Sequence, residues 1–149
     1  MEENVLESQF RIERLKHLYS YGPLLFVANI LVGLTFIIFQ KPFFDLSHLL
    51  LWCGGLLIVN AWRFKYYKDS LREGLKEENV REYEKKNFIG IVSTAFFWGS
   101  SGVFFFPPAE YMSQLMTCLT IAGVISSSVV TLSSNFFFMI SFIFIGSVP

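Results

Sequence analysis

The stretch RFKYYKDSLREGLKEENVREYEKK, residues 63–86, decides how the rest of the chain is read. It holds eight of the twelve basic residues: Arg63, Lys65, Lys68, Arg72, Lys76, Arg81, Lys85 and Lys86. Apolar runs long enough to cross a bilayer flank it, and no Lys or Arg follows Lys86. Positive charge collects on the cytoplasmic side of a membrane protein, so placing this segment in the cytosol assigns a side to every other loop.

Composition supports that reading. Of 149 residues, 53% are hydrophobic and only 16% charged, against about 25% charged in soluble domains. The charge is concentrated in the first half, as expected for a polytopic membrane protein rather than a globular core. Net charge is zero; a nucleic-acid partner is not expected, because it would call for a basic excess on one face. Cys53 and Cys118 sit inside apolar runs without a CxxC or a neighbouring His pair, and read as reduced thiols covered by lipid or by a neighbouring helix.

Working outward, residues 1–20 mix acids and bases, which excludes a signal peptide. Val5, Ile12, Leu15 and Tyr19 recur near one face at helical spacing. The segment reads as an amphipathic helix at the cytoplasmic interface. A transmembrane hairpin is expected over 21–62, from the runs Tyr21–Phe39 and Leu46–Trp62, with Gln40, Lys41, Pro42 and Asp45 between them. About 20 apolar residues cross the hydrocarbon. Gly54 and Gly55 permit close helix approach.

Residues 63–86 form a charged helical connector, with an apolar stripe at Phe64, Tyr67, Leu71 and Leu75 and Gly74 as its weak point. Glu77 with Arg81 and Glu82 with Lys86 have ion-pair spacing. The segment serves as a solvated connector or as a surface for an anionic lipid or partner; its six acids weigh against the lipid. Residues 87–149 hold Asn87–Phe106, Tyr111–Leu132 and a run opening at Phe136. Fourteen residues of that last run rise about 21 Å, short of a core of about 30 Å. The expected fold is therefore an all-α polytopic transmembrane bundle of five apolar runs, the fifth incomplete.

Counting basic residues near each boundary sets sidedness. The N-terminal segment and the connector carry eleven against one, Lys41, in the first loop. The N-terminus and connector are expected inside. The Gln40–Asp45 and Pro107–Glu110 turns are expected outside, and the Ser133–Asn135 turn inside by alternation.

No P-loop, HExxH or GxSxG motif occurs, and enzymatic activity is not expected in these residues. No metal or other cofactor is expected. His17 and His48 read as interfacial histidines. The apolar runs lack Asp, Glu, Lys and Arg, which argues against an ion-coupled pathway. Their neutral polar groups read as helix glue first and as a small polar ligand pocket second. Asn29 is expected to face a partner helix. Gly123 and Ser127 form a small-xxx-small pair, Gly90 and Thr94 a looser one, and Trp98, Gly99 and Gly102 sit on the third run as packing or ligand-facing candidates.

Glu82 to Pro149 places a charged pre-helix before Phe-Phe-Trp-Gly (Phe96–Gly99), then Phe106-Pro107-Pro108, Ala122-Gly123 and Val148-Pro149. This order resembles the N-terminal six-helix membrane module of bacterial sensory histidine kinases and of diguanylate cyclases or phosphodiesterases of the GGDEF/EAL type. The resemblance implies an inner-membrane input unit, its N-terminus cytoplasmic, working as a homodimer in the lipid bilayer and responding to a small-molecule or membrane stimulus. It also implies a sixth helix and an output domain after Pro149, so the chain reads as a fragment or a shortened gene. The expected mechanism is a shift between two helix packings around Gly99, Gly102 and Gly123. A small transporter or channel subunit and a membrane scaffold are the alternative functions.

Overall fold

The computed structural model describes residues 2–107, 109–132 and 135–147. Met1, Pro108, Ser133, Ser134, Val148 and Pro149 lie outside the described residues, as do the side chains of residues 2–8, Val5 among them, and of Val130. The chain is all-helical: α1 (Glu2–Ser20), α2 (Gly22–Gln40), α3 (Leu46–Glu73), α4 (Val80–Phe104), α5 (Tyr111–Leu132) and α6 (Phe136–Ser147).

Only Tyr21 separates α1 from α2. Pro23 stands in the first turn of α2; it has no N–H to offer the preceding turn, so the ladder breaks there at little cost. Helix α3 runs unbroken from the apolar hairpin into the charged segment and stops at Gly74, whose φ of 73° glycine adopts without strain. Asn79 closes the following turn: its Oδ1 accepts from the Lys76 N–H (2.8 Å) and its Nδ2 donates to the Gly74 carbonyl (2.9 Å). Helix α4 then begins within the charged segment. Residues 63–86 are thus the end of one helix, a clamped turn and the start of the next. Glu82 and Lys86 pair on α4. Glu77 stays in the turn, and among the described residues no ion pair joins it to Arg81.

The expectation of five spanning runs is corrected. Among the described residues three helices are long and apolar enough to cross a membrane: Gly22–Gln40, Val80–Phe104 and Tyr111–Val129. The run Leu46–Trp62 is the opening of a 28-residue helix, interrupted by His48 and Asn60 and continued by charge. The last run gives a helix of 12 residues, a rise of about 18 Å.

Two clusters organise the interior. In the larger, Phe36, Trp52, Trp98 and Phe105 join α2, α3 and α4: Trp52 meets Trp98 at 5.2 Å and Phe36 at 5.2 Å between ring centroids, and Phe105 meets Phe36 at 5.8 Å. Tilted and edge-on ring pairs of this kind add about 0.5–1.5 kcal/mol beyond their burial. The smaller cluster packs Leu15 and Tyr19 of α1 against Val80 and Tyr83, with Ile12, Tyr67 and Leu75 at its margin. Ile12, Leu15 and Tyr19 of the α1 stripe are therefore covered by the charged ends of α3 and α4, and Arg11 Nη1 donates to Glu84 Oε2 (2.8 Å) across the same junction. Both charged segments lie at one end of the bundle.

The outside is apolar over most of the rest. Leu24, Val27, Leu31, Leu34 and Ile38 form an exposed stripe on α2, and Leu50, Leu51 and Ile58 do so on α3. Soluble monomers rarely expose contiguous apolar patches beyond a few hundred Å², so these stripes are surfaces suited to lipid.

Candidate functional site

Arg63 follows the apolar run Leu46–Trp62 on α3 and turns into the bundle. Its stem lies across Gly90 of α4, where a Cβ would stand 2.5 Å from the Arg63 Cγ. Its Nη1 donates to Thr94 Oγ1 (3.1 Å), and the Thr94 hydroxyl donates to the Gly90 carbonyl (2.8 Å). Among the described residues no carboxylate lies within ion-pair distance of this guanidinium. The bed exists because Gly90 and Thr94 are four residues apart on one helix face, one leaving room and the other supplying an oxygen.

Around Arg63 lie polar groups from five helices, α1 to α5. One cavity of about 40 Å³ is lined by Tyr19, Asn60, Arg63, Tyr67 and Asn87 with apolar neighbours. A second, of about 60 Å³, shares Leu25 and Arg63 with it and is lined by Asn29, Thr94, Ser127, Ser128 and Thr131. Asn60 donates to the Leu56 carbonyl of its own helix (2.9 Å). The Tyr19 hydroxyl and the Asn87 amide nitrogen are buried without a hydrogen-bond partner. Ser70 stands beside Tyr19 but gives its proton to the Tyr67 carbonyl (2.7 Å). Burial pushes the Tyr19 phenol up to about 12, against the opposing pull of the Arg63 charge, so it remains a neutral donor.

The candidates read from the sequence divide. Asn29 faces a partner helix: its Oδ1 accepts from Trp98 Nε1 (3.0 Å), and its Nδ2 donates to the Leu25 carbonyl (3.0 Å). Trp98 is buried in the aromatic cluster. Gly99 is a close crossing, since a Cβ there would stand 2.7 Å from the Ile145 carbonyl oxygen of α6. Gly102 is half-buried. Within the chain, Gly123 makes no close crossing: among the described residues a Cβ there meets nothing within 4 Å, and its neighbour Val124 is the residue turned inward. Ser127 is exposed, donates to the Val124 carbonyl (2.9 Å) and borders the second cavity.

Arg63, Tyr19 and Asn87 are site residues that composition conceals, since Arg63 reads as one more connector charge. The signal is present in spacing. Asn60, Arg63 and Tyr67 share one face of α3, and Asn87, Gly90 and Thr94 share one face of α4, each stepping by three and then four.

A second polar knot ties the opposite end. Gln40 is fully buried; its Nε2 donates to the Ser113 carbonyl (3.1 Å) and Thr117 Oγ1 (2.7 Å), and its Oε1 accepts from Ser113 Oγ (2.5 Å). Its hydrogen bonds are satisfied within the protein, so it latches α2 to α5. In the sequence Gln40 reads only as the start of a loop.

Fold and site together define an all-helical protein with three helices able to cross a membrane and a cationic polar seam between its charged end and its apolar body. No protein-family model matches the chain, and neither a curated protein nor a solved structure matches it.

Proposed function

We propose that this chain is the membrane-embedded input module of a bacterial signalling protein, working as a homodimer in the inner membrane with its N-terminus in the cytosol. The observation that carries the reading is the position of Arg63. It belongs at once to the apolar bundle, through Gly90 and Thr94, and to the charged junction of α1, α3 and α4, through Tyr19 and Tyr67. A change of packing inside the bundle therefore displaces the charged end, which is what an input unit has to accomplish. The order of residues from Glu82 onward supports the same class.

Packing supports a fourth crossing by the apolar half of α3. This helix lies along both α2 and α4 and presents Leu50, Leu51 and Ile58 outward. It also returns the chain to the end where α1 already lies. With α2 and α3 as a complete hairpin, the N-terminus and residues 63–86 share the cytosolic side, as the distribution of basic residues requires.

The mechanism is a shift between two helix packings, biased by a ligand or by the membrane. Gly99, pressed against the Ile145–Gly146 backbone, is the crossing where an added methyl must push α4 and α6 apart. Output of the native gene product in membrane vesicles, read as autophosphorylation or cyclic-dinucleotide turnover, should change about fivefold or more in Gly99→Ala, a coupling of about 1 kcal/mol. A folded variant with unchanged output, or a native product with no such output, counts against the proposal.

One observation favours a second reading, a small transporter or channel subunit: the cavity of about 60 Å³ lined by Asn29, Arg63, Thr94, Ser127 and Ser128 lies among the apolar helices. Solute flux in proteoliposomes, lost in Thr94→Val, would favour it over signalling.

A further inference from the structure

We infer that the cavity bounded by Tyr19, Arg63 and Asn87 is a binding site for a singly charged oxyanion, a phosphodiester or carboxylate group. Three donors converge on it from three helices. Arg63 supplies a positive charge and has only the Thr94 hydroxyl as partner among the described residues. The Tyr19 hydroxyl and the Asn87 amide nitrogen, on residues 8% and 9% exposed, make no hydrogen bond of ordinary geometry among the described residues, although Ser70 stands beside the phenol.

A buried donor without a partner costs about 1–3 kcal/mol, and native proteins keep few of them. Two such donors in one small cavity, beside a cation with no carboxylate, make a set that an acceptor-rich group completes. A water molecule offers two acceptor positions and no charge. A phosphodiester or carboxylate brings a full negative charge and enough lone pairs for all three donors.

Size and place agree. The cavity of about 40 Å³ exceeds the roughly 10–15 Å³ that admits a single water, and suits a compact oxyanion group rather than a bulky ligand. It opens beside Gly22 and Phe26, at the level where Trp62 gives way to Arg63. That is the depth of lipid phosphates, where interfacial tryptophan and basic residues gather. The headgroup phosphodiester of a lipid and a soluble anion from the cytosol therefore share the chemistry this site recognises. The site is independent of the signalling reading, because binding is measured on the chain itself and needs no output.

Purified protein is placed in micelles of a non-ionic maltoside detergent, which carries no phosphate or carboxylate, and titrated with acetate or inorganic phosphate while thermal unfolding is followed. In parallel, phosphatidylglycerol is added to the micelles in steps. The unfolding midpoint of the wild type should rise saturably in at least one arm. A rise with phosphatidylglycerol alone identifies the lipid headgroup; a rise with the soluble anions identifies a cytosolic source. Tyr19→Phe and Asn87→Leu, which remove unpartnered groups and leave the fold at least as stable, should each weaken the apparent affinity about tenfold or more, as expected for a hydrogen bond to a charged group. Absence of a shift in every arm overturns the site, as does a shift that both variants keep unchanged.

Discussion

Tyr19 and Asn87 are where stability and binding diverge. A residue kept for packing loses stability when it is replaced, whereas an unpartnered buried hydroxyl or amide is itself a burden on the fold. Tyr19→Phe should therefore leave thermal stability in detergent unchanged or raise it by about 1 kcal/mol. The phenol also fixes a pH dependence. Its pKa in the fold, about 12, lies above the ordinary 10.0, so the proton is held more tightly folded than unfolded. Stability from this group is full below pH 10.0 and is lost as pH rises through about 12. The alkaline fall in unfolding midpoint should be shallower in Tyr19→Phe. Gln40 is the opposite case. Gln40→Leu strands the Ser113 hydroxyl in a buried place, while Thr117 still donates to the Phe105 and Ser113 carbonyls, and should cost about 1–3 kcal/mol by the same unfolding measurement. Neither residue stands out in the sequence. Tyr19 belongs to an amphipathic stripe and Gln40 to a loop, and hydrogen-bond satisfaction is a property of distant partners that spacing within one helix does not encode.

Helices with a continuous apolar composition are the most legible elements: α2 and α5 lie where the apolar runs place them. The extension of α3 is also readable, because Phe64, Tyr67 and Leu71 keep helical spacing through the charge, and Gly74, read as a weak point, is where the helix stops. In the structure Phe64 stacks on Phe26 at 5.1 Å and Tyr67 meets Tyr19 at 5.8 Å. Boundaries are less legible, since a composition window sees where charge begins and not where backbone hydrogen bonds continue; α4 consequently starts well before the apolar run it contains. Small-residue motifs mislead at Gly123 for a related reason. The pattern shows that a helix can be approached but not which face is. The two glycines should separate in experiment. Gly99→Ala puts a methyl 2.7 Å from backbone of α6 and should cost about 1–3 kcal/mol. Gly123→Ala meets open space and should stabilise by up to about 1 kcal/mol through helix propensity. Thermal unfolding of the two variants side by side checks both.

At the scale of the molecule, the apolar exterior, the three membrane-length helices and the gathering of charge at one end describe a protein built to sit in a bilayer with that end in water. The paired faces of α3 and α4 around Arg63 make the boundary between the two environments a polar seam rather than a simple change of composition. The topology depends on α3 bringing residues 63–86 back to the side of the N-terminus. Cysteine labelling tests this directly. With Cys53 and Cys118 replaced by Ala, Glu77→Cys puts a thiol on the exposed turn between α3 and α4, and intact cells are treated with a membrane-impermeant maleimide. The expected result is labelling only after the membrane is permeabilised; labelling of that thiol from outside intact cells would contradict it.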